Sequence, residues 1–220
     1  NSVKALKKIY SLSFFENNIL ENIFLPDLMA VNYWDLQTNI LLYDDSKYQS
    51  TSDTWVRDVS YPKRQTPTAQ ESFQVFIDKH LYISQDQKTG FVTLSIKHQS
   101  PFIAKQWVEL IINEVNNFYR QKDKLESEKA INYLNQQIEM TGLTQIKQVI
   151  AELLQEETQK LTLIEANQYY VFDYIDPPAV MEKNSEPKRS VIIIVITLLG
   201  AVIGVFLVLL KHYAFKKRAT

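Results

Sequence analysis

The side chains able to do chemistry are few and scattered. His80, His98 and His212 lie far apart and match no metal-ligand spacing, and the chain has no cysteine. Disulfides and thiolate metal sites are therefore excluded. His80 and His98 fall at predicted strand ends and read as surface groups. Nucleotide hydrolysis needs a Gly-x-x-x-x-Gly-Lys loop to cradle phosphates, and acyl hydrolysis on an α/β sheet needs a Gly-x-Ser-x-Gly elbow; neither occurs. Asp44, Asp45 and Asp53 invite a calcium reading, but an EF-hand loop needs a central Gly and a closing Glu that this stretch lacks. They read as solvated turn acids. Glu156 and Glu157 sit on a polar helix face, whereas a glycosidase needs two carboxylates converging across a cleft. Twelve Tyr and three Trp could stack on sugars, yet core and interface packing accounts for most of them. The expectation is a protein with no catalytic residue, no cofactor and no metal.

The elements that must position these residues are organised around Val191 to Leu210, a stretch without a charge. As a helix it is about 30 Å long, roughly the thickness of a bilayer's hydrocarbon core. Thr197 is its only polar side chain and can bond to a carbonyl one turn earlier. Gly200 and Gly204 form a Gly-x-x-x-Gly pattern that would let a second helix approach closely. Lys188 and Arg189 precede the stretch; Lys211, Lys216, Lys217 and Arg218 follow it. The reading is a transmembrane helix in contact with membrane lipids, a ten-residue basic tail on the cytoplasmic face, and the bulk of the chain on the other side. The net charge is −1, from 24 Lys and Arg against 25 Asp and Glu. Four of those bases and no acid follow Ser190, so the preceding part carries 20 against 25, or −5. A mildly acidic domain argues against nucleic acid as a partner. The start, Asn-Ser-Val-Lys-Ala-Leu-Lys-Lys, has no apolar signal core; the expectation is a tail anchor or an upstream membrane helix that this sequence lacks.

Local pattern divides the rest. Residues 3–23 are apolar at helical spacing, with Ser11 and Ser13 as possible caps. Pro26 interrupts, and residues 27–31 make one further turn. Residues 32–67 read as an ordered surface excursion. Thr68 caps a helix to about Lys79 that buries Phe73, Phe76 and Ile77. Residues 81–84 and 91–96 flank a turn closed by Gly90, a β-hairpin in which Val92, Leu94 and Ile96 face the core. Ser100-Pro101 starts a helix running to about Met140, some 60 Å long. Its first half is broadly apolar. Its second half keeps only a narrow stripe at Ile131, Leu134 and Ile138. Thr141-Gly-Leu-Thr144 breaks it, and helical spacing resumes at Ile146, Val149 and Ile150 through Ile164. The pair makes an antiparallel helical hairpin whose outer half is too polar to be buried alone. Copies of the same hairpin should cover it, with Ile131, Leu134, Ile146 and Val149 as oligomer contacts. Residues 169–175 read as a return strand, and a linker containing Pro177, Pro178 and Pro187 follows.

These residues carry a resemblance. The chain resembles the Wzz polysaccharide chain-length determinants, the co-polymerases of lipopolysaccharide O-antigen synthesis. The matching stretches run nearly end to end: Leu25-Pro-Asp-Leu-Met-Ala-Val31 with Trp34-Asp35, Tyr43-Asp44, Trp55-Val-Arg57, and Ile83-Ser-Gln-Asp-Gln-Lys-Thr-Gly-Phe-Val-Thr-Leu-Ser-Ile-Lys-His98. Ser100-Pro101, Ala104-Lys-Gln-Trp-Val108, Tyr133-Leu-Asn135, Tyr170-Val-Phe172 and Asp176-Pro177 continue it. The juxtamembrane motif of Pro178, Pro187, Lys188 and Arg189 before a glycine-containing span completes it. The sequence departs from the family where many members carry another proline near Met181-Glu182 and another glycine near Ile196.

The resemblance implies a bacterial inner-membrane protein with two membrane helices around a periplasmic α/β domain and a long helical hairpin. It implies rings that regulate O-antigen chain length beside an O-antigen polymerase and a lipid-linked polysaccharide. The expected class is α+β. A periplasmic base domain spans 1–99, the hairpin 100–168, the return strand and proline linker 169–190, the span 191–210 and the basic tail 211–220. Two rival classes are the membrane subunit of an exopolysaccharide export or tyrosine-kinase system and a periplasmic sensor. Either would add a nucleotide-binding or signalling domain beyond the span, or a separate partner.

Overall fold

Each helix begins where the local chemistry directs. In a computed structural model describing residues 2–182 and 189–216, α1 (Ser2–Ile9) is followed by Ser11, whose hydroxyl accepts the Phe14 N–H at 3.3 Å and caps α2 (Leu12–Phe14). A π-helical turn at Phe15–Ile19 continues α2. The helix α3 (Leu25–Met29) starts one residue before Pro26, so the proline opens this turn. Thr68 accepts the Glu71 N–H at 3.2 Å and caps α4 (Ala69–Val75), which runs into a π turn at Phe76–His80. Ser100 stands at the cap of α5 (Pro101–Met140), but its hydroxyl makes no capping bond. After three non-helical residues comes α6 (Thr144–Ala166), and the last helix is α7 (Arg189–Lys216).

Among the described residues the strands form three separate two-stranded antiparallel sheets: β1 (Val31–Asp35) with β2 (Ile40–Tyr43), β3 (Tyr48–Gln49) with β4 (Thr54–Trp55), and β5 (Leu81–Gln85) with β6 (Val92–Ile96). The first two pairs fold the expected excursion into hairpins. Asn39 and Asp53 turn their chains at positive φ, 55° and 52°. Gly90 does so for β5–β6 at 74°, the conformation glycine adopts without a Cβ clash. In β6, Val92, Leu94 and Ile96 are half-buried and Thr93 and Ser95 exposed, so the predicted alternation holds.

The core lies between the first half of α5 and the N-terminal helices. Trp107, Ile111 and Val115 recur every fourth residue and are buried against Ile9, Phe14, Phe15, Ile19, Leu28, Phe76 and Leu81. The Phe15 and Phe76 rings, each at the start of a π turn, meet at 5.1 Å. Each such side chain contributes about 1.5–3 kcal/mol by leaving water.

The expected return strand is not a strand. Residues 169–175 are irregular. The Asn116 amide replaces a strand neighbour: its Oδ1 accepts the N–H groups of Val171 and Phe172 at 2.8 and 2.9 Å, and its Nδ2 donates to the Phe172 carbonyl at 2.9 Å. One buried side chain thus satisfies three backbone groups, and no β ladder forms.

The chain divides into two units, residues 1–180 and 181–220. The second contains α7. Thr197 donates to the Ile193 carbonyl at 2.8 Å, as expected. From 193 to 209 its described apolar side chains are exposed on every side. Among the described residues no helix is long and apolar enough to cross a membrane. The side chains of Val191, Ile192 and Leu210, at the ends of the expected span, lie outside those described.

Candidate functional site: the helical hairpin and the cleft at its base

The helices α5 and α6 run antiparallel. The ion pair of Lys124 with Glu165 links them far from the break, and the Tyr170 hydroxyl donates to Asp123 Oδ2 at 2.7 Å where the chain leaves α6. Burial and that bond push the Tyr170 hydroxyl up to about 12. Ile150 and Ile164 are buried, and Ile131, Leu134 and Ile138 are half-buried. The four expected oligomer contacts therefore separate. Ile131 and Leu134 are partly covered within one copy, whereas Ile146 and Val149 are 45% and 55% exposed. Leu153, within the expected pattern, and Leu125, Tyr133 and Leu163, which the stripe does not include, are also exposed. The signal of the last three in the sequence was apolar residues set off the main stripe of a polar helix.

At the base of the hairpin, α5 and the residues following α6 enclose an open cleft of about 530 Å³. Asn113, Glu114, Asn117 and Arg120 line it from α5; Gln168 and Tyr169 line it from the other side. Arg120 donates to Asn117 Oδ1 at 2.9 Å, and Glu114 accepts from Asn18 at 3.1 Å. Tyr169 meets Tyr174 edge to face at 5.6 Å and stays 42% exposed. Sequence reasoning missed this cleft. Its signal was three asparagines, Asn113, Asn116 and Asn117, interrupting the apolar half of α5.

His80 and His98 stand at strand ends as expected, but they are not plain surface groups. His80 and His98 are largely buried, with ring centroids 5.8 Å apart, and both meet Trp107, at 5.5 and 5.0 Å. The His80 Nδ1–H donates to the Lys97 carbonyl at 2.7 Å. His98 Nε2–H donates to the Asp27 carbonyl at 3.0 Å, and its Nδ1 accepts the Ser100 N–H at 3.1 Å. That network assigns His98 one neutral tautomer. Burial pushes His80 down to about 4 and lowers His98 as well. Beside them, burial raises the Asp27 carboxyl against the opposing pull of the Tyr43 hydroxyl, which donates to it at 2.7 Å. A neutral imidazole pair bonded to backbone on α3, just past β6 and at the start of α5 works as a structural clasp.

The turn acids have turn partners. Asp44 accepts the Ser46 N–H and hydroxyl and pairs with Lys47, and these bonds hold it at about 2. Asp53 accepts the Tyr48 hydroxyl at 2.6 Å. A Cβ placed on Gly200 or Gly204 would meet nothing within 4 Å, so both glycines stand on an uncovered face of α7. Of the juxtamembrane residues, Pro178 is half-buried and Arg189 begins α7; Pro187 and Lys188 lie outside the described residues, as do Lys217 and Arg218. No family model and no curated protein matches the chain.

Proposed function

We propose that this protein is a non-enzymatic membrane scaffold that regulates the chain length of lipopolysaccharide O-antigen. It acts as a homo-oligomer beside the O-antigen polymerase and its lipid-linked polysaccharide. The observation that carries the reading is the hairpin of 40 and 23 residues, whose outer surface leaves Ile146, Val149, Leu153 and Leu163 in water. A neighbouring copy would cover those groups, each with a gain of about 1.5–3 kcal/mol when fully buried. The resemblance of stretches from Leu25 to Pro177 to chain-length determinants supports the same reading. Membrane anchoring is part of the proposal: residues 191–210 are uncharged, the helix runs from Arg189 to Lys216, and its described surface is apolar all round. The bulk of the chain is then periplasmic and its home the inner membrane.

A lipopolysaccharide gel from a strain lacking the intact gene tests the reading. The expected result is loss of the modal band cluster. Val149→Glu should loosen cross-linked oligomers and shift the ladder while leaving abundance unchanged, because Val149 is exposed within one copy. A deletion strain with an unaltered ladder, together with a wild type that cross-links only as a monomer, overturns it.

A further inference from the structure

We propose that the cleft between α5 and residues 168–169 binds a saccharide. At about 530 Å³ it falls within the size of ligand sites, roughly 300–1,000 Å³. Its lining is amide-rich: Asn113 and Gln168 each offer a carbonyl acceptor and two N–H donors, and Asn117, whose Oδ1 already accepts from Arg120, offers its N–H donors. Sugar hydroxyls both donate and accept, so a ring with adjacent hydroxyls is satisfied by groups of this dual kind. Among the described residues the Asn113 and Gln168 side chains make no hydrogen bond, whereas Asn116, one residue from Asn117, spends three bonds on the backbone it holds. Both free amides belong to residues that line the cleft. Arg120 and Glu114 bring opposite charges, so the cleft is not an anion site. Tyr169 contacts Tyr174 only edge to face, which leaves an amphipathic ring exposed for a sugar's apolar face.

The identity of the saccharide as the polymerase's product rests on the function proposed above; the chemistry of the cleft does not. The probe is O-antigen polysaccharide cut from its lipid by mild acid and titrated against the full chain in detergent. Asn113→Ala with Gln168→Ala should weaken binding by about tenfold, the equivalent of one or two lost hydrogen bonds. Tyr169→Ala should weaken it too, and Tyr61→Ala, at a fully exposed tyrosine elsewhere, should not. Melting curves equal to wild type establish that the double variant is folded. Absent binding to the wild type, or equal binding to the double variant, overturns the proposal. So does loss of oligomers in the double variant with binding unchanged, which assigns the cleft to a neighbouring copy. The ladder of the deletion strain is read separately. If it shifts while the polysaccharide fails to bind, the cleft fails and the function stands; if binding follows the variants but the ladder does not shift, the reverse holds.

Discussion

Acidification should destabilise residues 1–180 through His80 and His98, and His80→Gln should remove much of the effect. The ordinary imidazole value is 6.5 and that of folded His80 about 4. A histidine lowered in the folded state leaves the proton to the unfolded chain. Stability is therefore full above pH 6.5 and is lost as pH falls toward 4. From those two values the loss for His80 is about 2 kcal/mol at pH 5 and reaches about 3 kcal/mol below pH 4. His98 acts in the same direction. Protonating its Nδ1 takes the acceptor from the Ser100 N–H, although the Ser100 carbonyl, 3.3 Å from that nitrogen, can accept the new proton. The charges facing the pair are Asp27 on α3, which opposes the loss, and Lys79 at the end of the π turn, which adds to it. All three tryptophans, Trp34, Trp55 and Trp107, lie within residues 1–180, so their fluorescence follows this unit alone. Urea unfolding of the full chain in detergent at pH 7.5 and pH 5 gives the loss for wild type and for His80→Gln, which carries no titrating ring. Titration of the acidic residues is common to both. The variant should lose about 2 kcal/mol less than wild type. Equal losses in the two proteins refute the buried, neutral clasp.

Asn116→Ala strips the partner from three backbone groups of Val171 and Phe172 and should cost about 2–4 kcal/mol in the same urea assay. Hydrogen exchange at those two amides should rise, and unchanged exchange would contradict the side-chain bridge. Arg57 holds both Glu71 oxygens, at 2.5 and 3.0 Å, and the carbonyls of Arg64 and Gln65. Arg57→Met should cost about 2 kcal/mol and open the 60–67 loop to protease; a protease-resistant variant argues against that role. The Arg57 bond holds Glu71 below its ordinary value, so this contribution is present at neutral pH and is lost as pH falls through the folded value. In Glu71→Gln that component of the acid response should be missing from urea titrations carried below the ordinary glutamate value of 4.5.

Signals confined to a few neighbouring residues were legible in the sequence. Ser11 and Thr68 cap as their side chains dictate, Gly90 takes the positive φ its turn requires, and the break at 141–143 separates two helices that pair antiparallel. Val92, Leu94 and Ile96 alternate inward because a strand has period two. The uncharged run from Val191 also fixed a helix there. What only the tertiary structure decided depends on which distant surfaces meet. His80 and His98 carry no mark of burial in their own neighbourhoods; Trp107, on a different element, covers both. The segment 169–175 has the aromatic and branched residues of a strand, but strand formation needs a backbone partner, and Asn116 takes that place with a side chain. Ile146 and Leu134 look alike in a helical pattern. Their different exposure is set by how α5 and α6 cross, a property of the pair that neither helix encodes alone.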